Sequence, residues 1–420
     1  MRSPLMQMPL PARSPTPLNS PVMLMSMKSS SVQPVKNCRL RGRSQSKKQL
    51  SRRKKEEGFS YLGEKEESLY SQLFSHPDFM FNKEKIMTEI VSREIQLVSR
   101  PKGIPTPDNF AIAQTELKPL QDRQILVRNL YMSVDPYMRG RMNEGKSYVP
   151  SFELGKALEG GAVGEVIESR SQEFKPGDIV TSNYGWREYF IAAPKHLHQV
   201  NRDIQPLSVY LGALGMTGMT AWVGLNLVEV KAGDVIFVSG AAGAVGNIAG
   251  QLAKLRGCHV IGSAGSMEKI KFLREECGFD SAFDYKAGPV LEQLKQAAPD
   301  GIDVYFDNVG GETLEAALSA LRVHGRIIAC GSISSYNDEK PQPGPSNLFN
   351  MITKRLTMKG LIVSDWFDRR GEFEQEVGGY FQAGKLKNQE TVVAGIERAV
   401  SAFIGLFEGK NVGKMVVKLN

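Results

Sequence analysis

From residue 234 onward, short apolar runs alternate with stretches of about ten to fifteen residues that have helical periodicity. The apolar runs are DVIFVSG, CHVIGSA, SAFDY, IDVYFDN and GRIIACGS. Continuous apolar strands joined by helices are typical of a parallel sheet that is covered on both faces. We therefore predict an α/β domain with a doubly wound parallel sheet, built from five strand-helix units.

The stretch VSGAAGAVG, residues 238–246, joins the first predicted strand to an amphipathic helix over 244–256. Compared with the pattern G-x-G-x-x-G, Gly243 is the second glycine and Gly246 is the third. Gly243 lets the backbone approach a pyrophosphate, and Gly246 lets the helix pack close to the strand. The helix start, Ala244 and Val245, then faces the phosphates. This predicts a dinucleotide site, although a glycine-rich turn also occurs for packing alone.

The end of the second predicted strand distinguishes NADPH from NADH. An NAD site has Asp or Glu about 20 residues beyond the glycines, to bind the ribose 2′-hydroxyl. Here the strand end, Gly262 to Gly265, is small and neutral, and Lys269 follows in the first turn of the next helix, with Ser266 as its N-cap. We predict that Lys269 binds a 2′-phosphate and that the cofactor is NADPH. The alternative is a solvated surface lysine.

The net charge of +8 arises in the N-terminal segment. Residues 1–86 hold 16 Lys and Arg against 7 Asp and Glu, which leaves 37 against 38 for residues 87–420. The balanced body predicts no nucleic-acid partner. Residues 1–86 have the composition of a disordered basic extension. It is either a transit peptide or a mis-assigned start ahead of Met87, and we favour the second.

The apolar stretch 204–228 is long enough to cross a bilayer. Its glycines, its polar residues and the lack of flanking basic clusters favour a buried helix instead, so we predict no membrane span.

Cys38, Cys258, Cys277 and Cys330 form no Cys-x-x-Cys pair, and the last three are predicted to be buried, inert thiols. The histidines make no tetrahedral set, and His196-x-His198 is predicted to be a surface loop. We predict no metal site.

Residues 87–420 resemble the zinc-independent medium-chain dehydrogenase/reductases. Within them, the chain resembles the branch that contains leukotriene B4 12-hydroxydehydrogenase, or prostaglandin reductase, and plant alkenal double-bond reductases with curcumin-reductase-like relatives. The motifs that carry the resemblance are MSVDPYMRGRM (132–142), GMTGMTAWVGL (215–225), GAAGAVGNIAGQLAK (240–254), FDNVGG (306–311), CGSISSYN (330–337) and GKNVGKMVV (409–417). Zinc-dependent relatives have Gly-His-Glu where this chain has Leu158-Glu159-Gly160-Gly161.

The resemblance implies a Rossmann domain beside a GroES-like all-β catalytic domain. Short strands and turns such as KPGD (175–178) agree with that second domain. The expected limits are 87–208 for the catalytic domain and 209–374 for the NADPH-binding domain. Residues 375–420 are expected to return to the catalytic domain with a helix over 396–407 and a strand over 414–419.

The resemblance also implies the reaction. NADPH reduces the carbon-carbon double bond of an α,β-unsaturated ketone or aldehyde, and an enolate forms that is then protonated at the α-carbon. Tyr336 is the expected hydrogen-bond donor to the enolate oxygen or part of the proton path, unless it only packs on the cofactor. Tyr137 is expected to line the substrate pocket, and Arg139 either shares that role or pairs with a carboxylate.

Further cofactor contacts follow from the same resemblance. Asn308 is expected near the ribose or pyrophosphate, Tyr285 along the adenosine phosphate, and Asn411 from the C-terminal segment. The remaining expected contacts belong to the loop after the fifth strand and are Cys330, Gly331 and Ser332. Turn formation is the alternative role of Asn308 and Asn411, and strand-end packing is that of Tyr285.

The expected assembly is a homodimer formed by edge-to-edge pairing of the cofactor-domain sheets, in the cytoplasm. Two other functions stay open at this point. One is an NADPH quinone oxidoreductase of the same fold, and the other is a non-catalytic NADPH-binding protein. Tyr336 and the DPYMR motif favour the enone or enal reductase over the quinone oxidoreductase, and the binding protein would bind NADPH without turnover of any acceptor.

Overall fold

The computed structural model describes residues 90–419, which form strands and short helices. The strands are β1 (Val91–Leu97), β2 (Phe110–Glu116), β3 (Ile125–Ser133), β4 (Ala162–Ser169), β5 (Ile179–Ser182), β6 (Tyr189–Ala192), β7 (His198–Gln199), β8 (Val235–Val238), β9 (His259–Ala264), β10 (Ser281–Asp284), β11 (Ile302–Asp307), β12 (Leu321–Ala329), β13 (Thr357–Gly360), β14 (Glu390–Ala394) and β15 (Lys414–Lys418). The extension predicted over residues 1–86 lies outside the described residues.

The α-helices are α1 (Met138–Arg141), α2 (Met216–Leu227), α3 (Ala244–Leu255), α4 (Met267–Lys271), α5 (Val290–Ala297), α6 (Gly311–Ala320), α7 (Asn350–Thr353), α8 (Arg370–Gln382) and α9 (Ala399–Phe407). A π-helical turn, Phe272–Glu276, continues α4. The 3-10 turns are Pro107–Asn109, Pro194–His196, Leu207–Leu211, Ile333–Ser335, Val363–Arg369 and Ile396–Arg398.

The predicted parallel sheet is present, in the order β10-β9-β8-β11-β12-β13. All of its neighbouring strands run parallel. This is the doubly wound dinucleotide-binding order, with the first strand, β8, and the fourth, β11, at the topological switch point. The prediction of five strands was one too few. The sixth, β13, has the sequence TMKG with every residue exposed, so it lacks the apolar run by which the others were identified.

Alternate residues of each central strand face opposite sides of the sheet. Ile236 and Val238 pack toward α2 and α3, whereas Phe237 packs toward α5 and α6. The same division separates Val304 and Phe306 from Tyr305 on β11. Because helices cover both faces, the inner positions of the central strands are apolar on both sides, as is typical of parallel sheets.

A second, mostly antiparallel sheet forms the all-β lobe. Its order is β14-β15-β3-β4-β5-β7, and β6 pairs with β3. The last strands of the chain thus lie beside β3, near the start of the described residues, with Val416 opposite Ser133. The helix expected over 396–407 is a 3-10 turn followed by α9. The exact domain limits at 208 and 374 remain predictions.

The uncharged stretch 204–228 forms the 3-10 turn Leu207–Leu211 and the helix α2. The helix packs on the parallel sheet so closely that a Cβ atom at Gly224 would lie 2.7 Å from the Phe306 ring. Trp222 meets Phe373 of α8 edge-on, with the ring centroids 6.2 Å apart. Within residues 90–419, no helix is both long and apolar enough to cross a membrane.

Candidate active site

A cavity of about 1340 Å³ opens at the switch point, between the carboxyl ends of the parallel strands and the all-β lobe. Its wall includes every residue predicted for the site except Ser332. These residues are Tyr137, Gly243, Ala244, Val245, Gly246, Lys269, Tyr285, Asn308, Cys330, Gly331, Tyr336 and Asn411. They come from both lobes and span 274 sequence positions, and the fold brings them together. Their individual roles remain predictions.

The glycine turn is shaped to receive a ligand through its backbone. A Cβ atom at Gly246 would lie 2.5 Å from the Gly240 carbonyl oxygen and 2.8 Å from Ala241 Cα. Gly243 is the N-cap of α3, and no side chain within residues 90–419 caps this helix. The first N–H groups of α3 therefore point toward the cavity without an intrahelical acceptor. A phosphate fits this position.

Gly240 is a part of this turn that the sequence pattern did not identify. Its φ of +55° lies in the left-handed region, where glycine is favoured. Its carbonyl accepts a hydrogen bond from Gly243 N at 3.0 Å, which closes the turn between β8 and α3. Ala241, which stands at the first glycine position of the pattern, is fully buried. The tight turn therefore begins one residue earlier than the motif alignment indicates.

The C-terminal segment forms one wall of the cradle. Gly413 N donates to the Ala242 carbonyl at 2.8 Å, and Gly413 bridges Gly243. Asn411 Nδ2 donates to the Gly413 carbonyl at 2.8 Å, so its amide group supports this turn while the residue lines the cavity. Asn308 differs, because its Nδ2 donates to the Ser239 carbonyl at 2.8 Å and so connects the end of β11 to the end of β8. The cofactor roles of both asparagines remain predictions.

Cations gather at the end of the cavity beyond β9. Ser266 caps α4, as predicted, by accepting a hydrogen bond from Lys269 N at 3.4 Å. Lys269 Nζ donates to the Gly409 carbonyl at 2.7 Å. Burial, and then the charge of Lys286, lowers the Lys269 pKa. An anion placed between the two ammonium groups would relieve this repulsion.

Lys286 was missed in the sequence, although it adjoins Tyr285 in the predicted strand end. Its Nζ lies 5.8 Å from the centre of the Tyr285 ring. The Tyr285 ring itself closes over Gly265, where a Cβ atom would lie 2.9 Å from the tyrosine hydroxyl. A strand end with small, neutral residues, an aromatic ring and two cations together suit an adenosine 2′-phosphate.

The opposite end of the cavity contains neutral hydroxyl groups. Tyr336 OH accepts a hydrogen bond from Ser332 N at 3.2 Å, which explains how Ser332 contributes without lining the cavity. Burial raises the Tyr336 pKa. Tyr137 faces the same space from the all-β lobe, and burial followed by the charge of Asp135 raises its pKa strongly. Both phenols are therefore protonated at neutral pH and able to donate a hydrogen bond.

Cys258 and Cys277 are buried, as predicted, but Cys330 differs. It is partly exposed and lines the cavity near Tyr336. Burial raises its pKa to about 12. The thiol is therefore neutral at physiological pH despite its place in the cavity wall.

An ion pair beneath the substrate end was also missed. Lys414 Nζ lies 2.8 Å from Asp135 Oδ1 and donates to the Val134 carbonyl at 3.0 Å. Both side chains are at most 5% exposed. The two residues are 279 positions apart, so nothing in the local pattern of either motif indicates the contact. The pair joins the turn that carries Tyr137 to the strand that follows Gly413.

Arg139 does not pair with a carboxylate among residues 90–419, so that alternative was wrong. Its guanidinium donates instead to backbone carbonyls and side-chain amides, including Gly103 O at 2.9 Å and Asn143 Oδ1 at 2.6 Å. This buried guanidinium makes three hydrogen bonds to backbone carbonyls and two to side-chain amide oxygens. Hydrogen bonds from the guanidinium to these neutral oxygens hold the cation without an opposite charge.

No group of three or more His, Cys, Asp or Glu residues within 90–419 is arranged to hold a metal ion. His198 lies on β7, 3.6 Å from a Glu374 carboxylate oxygen, and His196 meets the edge of the Tyr184 ring. The two histidines therefore have separate neighbours.

A Rossmann domain beside an all-β lobe, with the cavity between them, defines a dinucleotide-dependent oxidoreductase class.

Comparison with known proteins places the chain within that class. A family model described as the N-terminal domain of oxidoreductase matches residues 93–200, and one described as zinc-binding dehydrogenase matches residues 244–378. The chain is 43% identical to the NADP(+)-dependent 2-alkenal reductase of Nicotiana tabacum, over 79% of this chain and 98% of the relative. It is 39% identical to the NADPH-dependent curcumin reductase of Escherichia coli K12, over 78% and 97% respectively.

A solved structure agrees with these sequence matches. CurA from Vibrio vulnificus in complex with NADPH has a TM-score of 0.75 and 40% sequence identity, and the match covers 78% of this chain and 99% of CurA. The chain belongs to the medium-chain dehydrogenase/reductase family, in the branch that includes alkenal, curcumin and prostaglandin reductases. The predicted family and two-domain fold are confirmed.

Proposed function

We propose that the protein is an NADPH-dependent reductase of the carbon-carbon double bond in α,β-unsaturated ketones and aldehydes. The observation that carries the proposal is the single cavity, which connects a dinucleotide cradle at Gly243 and Gly246 to the hydroxyl groups of Tyr137 and Tyr336. A volume of about 1340 Å³ exceeds that of an ordinary small-molecule pocket, and so leaves space for a cofactor and a substrate together.

The cofactor fits the residues that line this cavity. Lys269 and Lys286 would hold the 2′-phosphate, and the N–H groups at the start of α3 would hold the pyrophosphate. The bound cofactor supplies a hydride, which the substrate receives at its β-carbon. The two lysines favour NADPH over NADH. No carboxylate stands at the tip of β9, where an NADH site would use one to bind the ribose 2′-hydroxyl.

The chain itself then has to stabilise a developing negative charge on the substrate oxygen. A protonated phenol is suited to this, since its hydrogen bond strengthens as the charge grows. Tyr336 is our proposed donor, because Ser332 N holds its hydroxyl at the edge of the cavity. Tyr137 lines the pocket opposite, and the α-carbon receives its proton from this hydroxyl network. We propose that these groups replace a metal ion, so that the enzyme is zinc-independent.

The test is turnover by the full chain. We expect loss of NADPH absorbance with a simple enone or 4-hydroxynonenal, with the saturated carbonyl compound as product. NADH is the cofactor control and a quinone is the acceptor control. Tight NADPH binding without turnover of any acceptor would refute the proposal, and turnover restricted to the quinone would replace it with a quinone reductase.

We also propose a homodimer that pairs through the outer edge of β13. This strand ends the six-stranded sheet, and its four residues are exposed. The nearby side chains of Leu348, Phe349 and Ile352 are 51%, 69% and 70% exposed, a cluster of apolar surface beside an unpaired strand edge. Light scattering should give a dimer that Phe349→Asp with Ile352→Asp converts to a monomer. A native chain that is monomeric at micromolar concentration would exclude this assembly.

The proposed compartment is the cytoplasm. Cys258, Cys277 and Cys330 are free thiols, which agrees with a reducing environment. Expression of the full chain and of residues 87–420 as fluorescent fusions tests the compartment and the N-terminal segment together. Organelle import of the full chain alone would support a transit peptide and contradict a cytoplasmic site.

A further inference from the structure

The side chain of Arg139 makes one contact that its own lobe does not require. Four of its hydrogen bonds stay within the all-β lobe, to Pro101 O, to Gly103 O twice and to Asn143 Oδ1. The fifth crosses to the Rossmann domain, where Nε donates to Asn337 Oδ1 at 3.1 Å. Arg139 is 3% exposed, whereas its acceptor Asn337 is partly buried in the cavity wall.

Both ends of this bond adjoin a proposed donor. Arg139 lies in the short helix α1, two residues after Tyr137, which is the N-cap of that helix. Asn337 directly follows Tyr336 and lines the same cavity. The bond therefore connects the backbone segments of the two tyrosines across the cleft that the substrate enters.

A second contact supports the same connection. Gly103, whose carbonyl also accepts from Arg139, has a φ of +68°. A Cβ atom at this position would lie 3.7 Å from Glu339 Oε1 and 4.0 Å from the Asn337 carbonyl. The segment of Asn337 thus packs against the loop that Arg139 organises, whereas Tyr336 OH is held from the other side by Ser332 N.

We propose that Arg139, acting through Asn337, is a positioning residue that fixes the Tyr336 loop against the Tyr137 turn. The inference rests on the proposed reductase function, in which Tyr336 is the donor. Arg139 suits this task because its Nε donates to both Gly103 O and Asn337 Oδ1, while its other nitrogens hold the buried guanidinium in a fixed geometry within the all-β lobe. A positioned donor contributes to the rate through alignment, which small displacements disturb.

The first experiment compares Asn337→Ala with Asn143→Ala, each of which deletes one amide acceptor of Arg139. Asn337→Ala should lower kcat for the enone about tenfold, with little change in NADPH Kd or in Tm. Asn143→Ala removes a bond within one lobe and should leave kcat within about twofold of the native value. Asn337→Asp retains an oxygen acceptor and should recover most of the lost rate. Equal kcat values for the native protein and Asn337→Ala would overturn the proposal.

A double-mutant cycle separates positioning from direct substrate contact, because Asn337 also lines the cavity. If Asn337 acts through Arg139, the Asn337→Ala effect on kcat should shrink to less than about threefold in an Arg139→Lys background. An undiminished effect in that background would show that Asn337 acts directly on the substrate, and would overturn the inference.

Hydrogen exchange provides a measurement that needs no turnover and works even if Arg139→Lys does not fold. Asn337→Ala should speed amide exchange in residues 332–339, and Asn143→Ala should not. Failure of the native chain to reduce an enone would refute the proposed function alone, since exchange still reports the contact. Unchanged exchange in Asn337→Ala would refute the positioning role alone.

Discussion

The two ends of the cavity present opposite chemistry. Beyond β9, the ammonium groups of Lys269 and Lys286 lie near each other, and the Lys286 side chain is exposed. Between β12 and the all-β lobe, Tyr137, Tyr336 and Cys330 are all held in their protonated forms by burial. One end presents two ammonium groups, whereas at the other end the phenols and the thiol are neutral and lie beside the Asp135–Lys414 ion pair.

This difference indicates how the site divides its work. Charges near water attract a phosphate over a distance but are screened by salt. Neutral hydroxyl groups in a desolvated region contribute little to binding, yet respond strongly when negative charge appears beside them. We therefore expect substitutions at the cationic end to change cofactor affinity, and substitutions at the neutral end to change the rate.

The largest expected effect comes from the cradle between the ends. Gly246→Ala places a Cβ atom 2.5 Å from the Gly240 carbonyl oxygen, so α3 has to move away from the turn. We expect a loss of about 1–3 kcal/mol in the free energy of unfolding and weaker NADPH binding. Chemical denaturation and a binding titration measure the two effects. Gly371→Ala is the control, because no atom lies within 4 Å of a Cβ there. Native-like stability and affinity in Gly246→Ala would contradict the cradle.

Tyr336→Phe tests the neutral end. We expect kcat for the enone to fall about 100-fold, because the phenol hydroxyl is the donor to the charged oxygen. NADPH Kd should stay within about twofold, since the hydroxyl is bonded to Ser332 N and carries no charge. Steady-state kinetics and fluorescence titration give the two numbers. A large loss of cofactor affinity with kcat intact would instead assign Tyr336 to cofactor packing.

The same hydroxyl sets an alkaline limit. The folded-state pKa of Tyr336 is raised above its ordinary value of 10.0, so the folded protein holds this proton more tightly than the unfolded chain. Its contribution to stability is complete below pH 10.0 and declines as the pH rises through the folded-state pKa. In a plot of kcat against pH, deprotonation of Tyr336 should not lower kcat for the enone below pH 10.0. A Tyr336-dependent decline between pH 7 and about 9 would contradict the burial effect.

Lys269→Ala and Lys286→Ala test the cationic end of the cavity. Each should raise NADPH Kd about tenfold and leave NADH binding unchanged, because only NADPH has the 2′-phosphate. The loss should shrink as salt is added. Lys271→Ala is the matched control, since this lysine of the same helix faces Glu275 at 3.8 Å. Equal losses for NADPH and NADH would remove the 2′-phosphate from the site.

The smallest expected effect concerns Cys330. An enone is an electrophile, but a thiol with a pKa of about 12 is ionised to only about one part in ten thousand at pH 8. Mass spectrometry of the native protein after incubation with the enone should show no adduct at Cys330, while the unfolded chain is labelled. Rapid stoichiometric labelling of native Cys330 would contradict its neutral state.

Local patterns were sufficient wherever neighbouring residues decide the structure. The helix α3 and the Ser266 cap follow from periodicity and capping chemistry, and the structure has each within about two residues of its prediction. The strand β13 was missed because TMKG has no apolar run. It is a strand only because β12 offers an edge, with Met358 opposite Ile327.

Contacts between distant segments could not be predicted from local patterns, because those segments meet only in the folded protein. Lys286 was recognised as part of the site only when β9 and β10 lay side by side. The pairing of Asp135 with Lys414 joins residues 279 positions apart, and that of Arg139 with Asn337 joins residues 198 apart. No periodicity within one segment carries such a distance.

The sequence by itself indicated the parallel sheet up to its fifth strand, the glycine cradle, the family and part of the cavity wall. Apolar periodicity and the small size of glycine act locally, so they can be read along the chain. Only the tertiary structure decided that Lys286 joins Lys269, how strongly the tyrosine and cysteine protons are held, and which side chains connect the lobes. Burial and charge proximity cause these properties, and both depend on segments that meet only after folding.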